Sequence, residues 1–172
     1  MALTQVAGGM LAGSITSSQI SSVAASTLTG TQTIPRGTLP TGSVLQVVQA
    51  YINSGFTTTT STTFVATALS GTITPSSASS KIYIIFSGGV YQATSGNGYY
   101  GIFRNGNNIA NNQVHNAVLN QWSTQGGSFL DSPATTSAIT YAIYMRSGSG
   151  TTTYFGADAP LVNSITMMEV AG

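Results

Sequence analysis

From Gly42 to Gly172 the apolar residues recur at every second position, and this alternation limits the fold more than any other feature. In Ala138-Ile-Thr-Tyr-Ala-Ile-Tyr-Met145, the residues Ile139, Tyr141, Ile143 and Met145 fall on one face. A period of two is that of a pleated strand with one buried side, whereas an amphipathic helix needs 3.6. The same reading gives strands over Ser43–Ala50, Thr67–Thr74, Lys81–Ser87, Tyr99–Arg104, Asn107–Asn112, Ser123–Leu130, Thr151–Phe155 and Ser164–Val170. Lys81-Ile-Tyr-Ile-Ile-Phe-Ser87 is the strongest of them, rich in β-branched and aromatic residues. The Thr57–Thr63 tract reads as a loop or an edge.

Turn chemistry separates these runs. Pro75 stops one strand, Ser95-Gly-Asn-Gly98 and Ser147-Gly-Ser-Gly150 form turns, and Asn105-Gly106 is the pair favoured by a type I′ hairpin. Asp131-Ser-Pro133 predicts a turn in which the aspartate accepts its own backbone N–H. Nine short strands with near-regular turns and almost no helical periodicity predict a β-sandwich or barrel. A jelly-roll-like β-sandwich suits roughly 130 residues and eight or more strands. An immunoglobulin-like sandwich stays open, although its cysteine pair is absent.

Residues 1–42 read differently from residues 43–172. The first stretch has no aromatic residue and one charge, Arg36. Its apolar residues, Val6, Met10, Leu11, Ile15, Ile20, Val23, Leu28, Ile34 and Leu39, stand singly among Gly, Ser and Thr. Such a segment cannot bury enough surface to fold alone. Thr16-Ser-Ser-Gln19 fits a capping box and allows a helical turn or two at Ser17–Ala25, too short to be stable in isolation. The expectation is an extended, mostly irregular N-terminal arm laid against a partner surface, followed by an all-β head.

Charge then narrows the partners. The chain has four Lys or Arg and three Asp or Glu, 4% of its residues, against roughly 25% in ordinary domains. Ser and Thr take the place of charge, at 23 and 26 residues. Arg36, Lys81, Arg104 and Arg146 are scattered singly, so neither nucleic acid nor an anionic membrane is an expected partner. No apolar run approaches the ~20 residues that span a bilayer. Met1–Gly13 lacks a basic start and is broken by glycines, so a signal peptide is not expected, which disfavours a secreted adhesin. With no cysteine there is no disulfide and no thiolate metal site.

Catalysis is not expected either. His115 is the single histidine, set among Asn111, Asn112, Asn116 and Asn120 with no acid or second histidine at ligand spacing. Asp131, Asp158 and Glu169 are the only carboxylates, the first two in turn or loop settings and the third in the last strand. Ser76–Ser80 has no base to activate a hydroxyl. No cofactor or metal is expected. Carbohydrate contact is the one binding chemistry suggested: Tyr99, Tyr100 and Trp122 lie near turns or strand ends amid Asn-rich segments, and could stack on sugars. The competing reading places Trp122 and one tyrosine in the core or at a subunit contact.

Three ordered stretches carry a family resemblance: Gly42-Ser-Val-Leu-Gln-Val-Val48; Ser70-Gly-Thr-Ile-Thr-Pro-Ser-Ser77 with Ser79-Ser-Lys-Ile82; and Ser164-Ile-Thr-Met-Met-Glu-Val-Ala-Gly172. Together with Leu130-Asp-Ser-Pro133 and Thr135-Thr-Ser-Ala-Ile-Thr-Tyr141, this set resembles a group of tailed-bacteriophage virion proteins common in aquatic phages. Gly8-Gly-Met-Leu-Ala-Gly-Ser-Ile-Thr-Ser-Ser-Gln-Ile20 resembles the leaders of tail-fibre-like proteins. The resemblance implies a virion protein, either a homotrimeric capsid decoration (cement) protein whose arm clamps the major capsid protein, or a tail fibre whose head binds a host-surface glycan. In the first case the arm residues named above anchor to the capsid. In the second, Tyr99, Tyr100 and Trp122 meet the glycan.

Overall fold

A computed structural model describes residues 39–94, 96–110, 114–116, 120–156 and 162–172, with the backbone alone considered at 114–116. Every regular element among them is a strand: β1 Val44–Ile52, β2 Phe56–Thr59, β3 Val65–Ile73, β4 Lys81–Gln92, β5 Gly98–Arg104, β6 Asn107–Asn108, β7 Val114–Asn116, β8 Ser123–Asp131, β9 Ile139–Ser147, β10 Thr153–Gly156 and β11 Asn163–Val170. The arm expected over residues 1–42, with its predicted anchors from Val6 to Ile34 and the helical turn at 17–25, lies outside the described residues up to position 38.

The strands form two antiparallel sheets, and three pairs of them are interrupted single strands. β1 runs beside β11 from Val44 opposite Val170 to Ile52 opposite Asn163, and β2 continues beside β10 from Phe56 opposite Gly156. β6 and β7 likewise lie successively along β5. Joining β1 with β2, β6 with β7 and β10 with β11 leaves eight strand positions. Numbered along the chain, they are ordered 1-8-3-6 in the first sheet and 2-7-4-5 in the second. This is the double Greek key of a jelly roll.

The alternation read from the sequence places the core between the sheets. Ile82, Ile84 and Phe86 of β4 meet Ile139, Tyr141, Ile143 and Met145 of β9, all essentially buried. Ile165 and Met167 of β11 and Leu69 and Ile73 of β3 complete the interior. β4 occupies the centre of its sheet, with β8 on one side and β11 then β10 on the other, so the strand with the strongest propensity has the most neighbours.

Asn105 and Gly106 both take positive φ, 48° and 81°, as a type I′ turn requires. Of the return strand expected over Asn107–Asn112, the described part pairs as a strand at Asn107–Asn108, beyond which the Ile109 amide donates to the Ile102 carbonyl, Ile109 packs against the core and Ala110 is buried; Asn111 and Asn112 lie outside the described residues. The Thr57–Thr63 tract supplies β2, and β7 has no counterpart among the predicted strands.

Candidate functional site

The described carboxylates are committed to packing. Asp131 does not start a local turn as expected. It is 6% exposed at the end of β8 and accepts two hydrogen bonds from the Arg104 guanidinium, at 3.0 and 2.9 Å. The Tyr141 hydroxyl donates a third, at 2.6 Å. Because Asp131 belongs to the first sheet and Arg104 and Tyr141 to the second, the group ties the two sheets together at one end of the sandwich. Burial pushes the Tyr141 hydroxyl well above the usual tyrosine range, and the bond to Asp131 adds to the shift.

Glu169 is fully buried at the same end. Its Oε1 accepts from the Ser76 amide at 2.7 Å and the Ser76 hydroxyl at 2.6 Å, and its Oε2 from Gln46 Nε2 at 2.6 Å. Burial alone would raise its pKa, but the hydrogen bonds, led by those from Ser76, outweigh it and hold the carboxyl below its ordinary value. A cleft of about 240 Å³ lies alongside, lined by Leu39, Leu45, Ser76, Ser77, Ser79, Ser80, Ala171 and Gly172. Glu169 thus orders the Ser76–Ser80 loop. The described residues hold no group of three or more metal-ligating side chains. The His115 side chain and Asp158 lie outside the described residues.

The three proposed glycan contacts are not brought together. Tyr99 and Tyr100 are adjacent on β5 and so point to opposite faces. Tyr100 is fully buried, its hydroxyl 3.0 Å from Thr153 Oγ1 and donating to the Tyr154 carbonyl at 2.9 Å, which removes it from any ligand-binding set. Burial pushes its pKa up to about 12, partly opposed by the Thr153 bond. Tyr99 lies on the outer face of the second sheet, 4.0 Å from the Arg146 guanidinium, which also lies 5.5 Å from the Phe64 ring. Phe64 packs edge-on against Phe103, and Phe103 stacks on Tyr144 at 3.9 Å. On that face the aromatic rings cover one another.

Trp122 is elsewhere, on the outer side of the first sheet. It joins Tyr91, Tyr154 and Phe56, contributed by β4, β10 and β2, with centroid separations of 5.3, 6.1 and 6.3 Å. Trp122 is 43% and Phe56 50% exposed. Periodicity had no means of finding this cluster, because its members come from four strand positions, and only the sheet order aligns them.

The cluster is one end of a larger surface. The exposed large hydrophobic residues among those described are Val44, Val47, Tyr51, Phe56, Ile85, Trp122, Leu130 and Val162. Each lies in a strand of the first sheet or immediately beside one. Register places Val47, Met168, Tyr83 and Leu130 in one row across β1, β11, β4 and β8. Two residues further along β4, Gln49, Thr166, Ile85 and Ser128 form the next row, and then Tyr51, Ser164, Ser87 and Gly126. None of these twelve residues carries a charge; Lys81 stands at the rim.

The two-sheet jelly roll defines the class to which this chain belongs, an all-β sandwich, here with one uncharged outer face that carries the exposed apolar residues. No protein-family model matches the sequence, and no curated protein matches it. Among solved structures the chain is similar to the EclA C-terminal domain, described as a sugar-binding protein, at 14% identity and a TM-score of 0.36. That likeness covers 77% of this chain and 88% of the other, and is too slight to carry a function across.

Proposed function

We propose that this chain is a structural protein of a tailed-phage virion, a capsid decoration protein with no catalytic role. Residues 1–42 form the arm that holds subunits of the shell, and residues 43–172 form a head that projects as a homotrimer. One observation carries the reading most: the exposed large apolar residues among those described all lie in or beside one sheet, whose outer face is uncharged inside its rim. A monomer in water would be poorly served by such a face, whereas a subunit of an assembly has it covered. The resemblance of residues 42–172 to virion proteins supports a phage particle as that assembly. The test is to locate the protein on purified particles by electron microscopy. Copies spread over the shell support decoration, and copies confined to the tail sink it.

A second reading, a receptor-binding head for a host-surface glycan, is favoured by the Trp122 cluster. Its exposed Trp122 and Phe56, backed by Tyr91 and Tyr154, offer apolar ring surface to a sugar. Titration of the purified protein with host lipopolysaccharide decides it. Binding that falls at least about tenfold in Trp122→Ala supports a glycan site, and no binding by the native protein removes it.

A further inference from the structure

We infer that the outer face of the first sheet docks onto a second copy of this chain. The segregation of the exposed apolar residues is the first ground. Val47, Leu130, Tyr51 and Ile85 are 58%, 49%, 63% and 38% exposed on this face, while the second sheet buries its outer aromatic residues against one another. The face is therefore a specific surface and not a scatter of surface hydrophobics.

Its relief points to a like partner. Val47, Met168, Tyr83 and Leu130 form a ridge across four strand positions. Ser164, Ser87 and Gly126, four residues along the same strands, form a trough across β11, β4 and β8 that Tyr51 closes at the β1 edge. The trough is built in at Gly126, where a Cβ would stand 2.7 Å from the Phe86 carbonyl oxygen. A surface carrying both a ridge and a trough is complementary to a rotated copy of itself. Because the rows hold no charge, two copies approach without like-charge repulsion, and a partner selected by ion pairing would find nothing to pair with.

The area is adequate. Four strands at ~4.8 Å spacing and about 30 Å of strand length give a footprint on the order of 600 Å². Stable interfaces take about 800 Å² from each partner, a value that the flanking Phe56–Trp122 cluster brings within reach. The inference rests on the proposed function in one respect, that the head acts as an oligomer, and adds which surface makes the contact.

The experiment is sedimentation equilibrium and native mass spectrometry on the full-length protein across a concentration series. Native protein should form a closed dimer or trimer. The double variant Val47→Lys with Leu130→Lys should be monomeric, or self-associate at least about tenfold more weakly, with its near-ultraviolet circular dichroism unchanged. Ala68→Lys, on the second sheet, should associate as the native protein does. Should the double variant misfold, Ile85→Ser with the same readout replaces it. A monomeric native protein overturns the inference, as does an oligomer indifferent to the face variants. A dimer upholds the docking face while counting against the trimeric reading, so the two claims fail separately.

Discussion

At the scale of single residues, polar groups in the interior fix loops and sheets to each other. Glu169 is the clearest case, because a carboxylate buried without a cation is tolerable only when its lone pairs are satisfied. Three donors from Ser76 and Gln46 satisfy them and favour the charged form. The folded carboxyl therefore titrates below its unfolded value of about 4.3. The stability it contributes is complete above that pH and disappears as the pH falls through the folded value. Melting temperatures should fall below about pH 4.3 in the native protein and less steeply in Glu169→Gln. At pH 7 the variant should be less stable by about 1–3 kcal/mol, since a Gln amide would turn a donor toward Gln46 or Ser76. A variant as acid-labile as the native protein would remove Glu169 from this role. None of this was legible along the chain, because Gln46 and Ser76 lie 123 and 93 residues from Glu169. Asp131 illustrates the same limit. The local Asp-Ser-Pro pattern predicts a turn, but an arginine 27 residues away takes the carboxylate.

At the scale of elements, the sequence was far more informative, since a strand's inward face depends on its own alternation. The eight strand positions of the sandwich were each anticipated by at least one predicted run. Those of β9 matched residue by residue, because Ile139, Tyr141, Ile143 and Met145 have to share one side of any strand. β7 escaped because Val114–Asn116 has no apolar period, and what places it is pairing with Gly98–Tyr100. β4 should be the least replaceable element. Its flanking strands hydrogen-bond along both edges, and Ile84 is fully buried between Met167 and Phe129 in register. Ile84→Asp would bury an unpaired charge, at a cost of at least about 4 kcal/mol against a typical net stability of 5–15. Loss of the cooperative melting transition is expected. Ile85→Asp, one residue on and facing outward, should leave folding intact, and the contrast tests the assigned facing of the strand. Equal damage from both would show that β4 is wrongly oriented.

At the scale of the whole molecule, the scarcity of charge and the fold point to one mode of attachment. Asp131 is paired with Arg104, Glu169 is enclosed, and Arg146 is stacked against Tyr99. Of the five charged residues among those described, Lys81 alone stands well exposed at the edge of the apolar face. With so few charges, the proposed arm and head would attach to a shell chiefly through apolar contacts and hydrogen bonds, which salt screens little. Deletion of residues 1–38 tests the arm. The cut leaves Leu39 lining its cleft and the Pro40 carbonyl accepting from the Ser43 amide, and it removes none of the described core residues. The truncated protein should keep its cooperative melting and its self-association, because the docking face belongs to the sandwich, yet fail to join particles. The intact protein should stay on particles from low salt to about 1 M, where the Debye length falls to ~3 Å. Release of the intact protein by salt would mean that charge holds it, and recovery of the truncated head on shells would move the attachment from the arm to the sandwich.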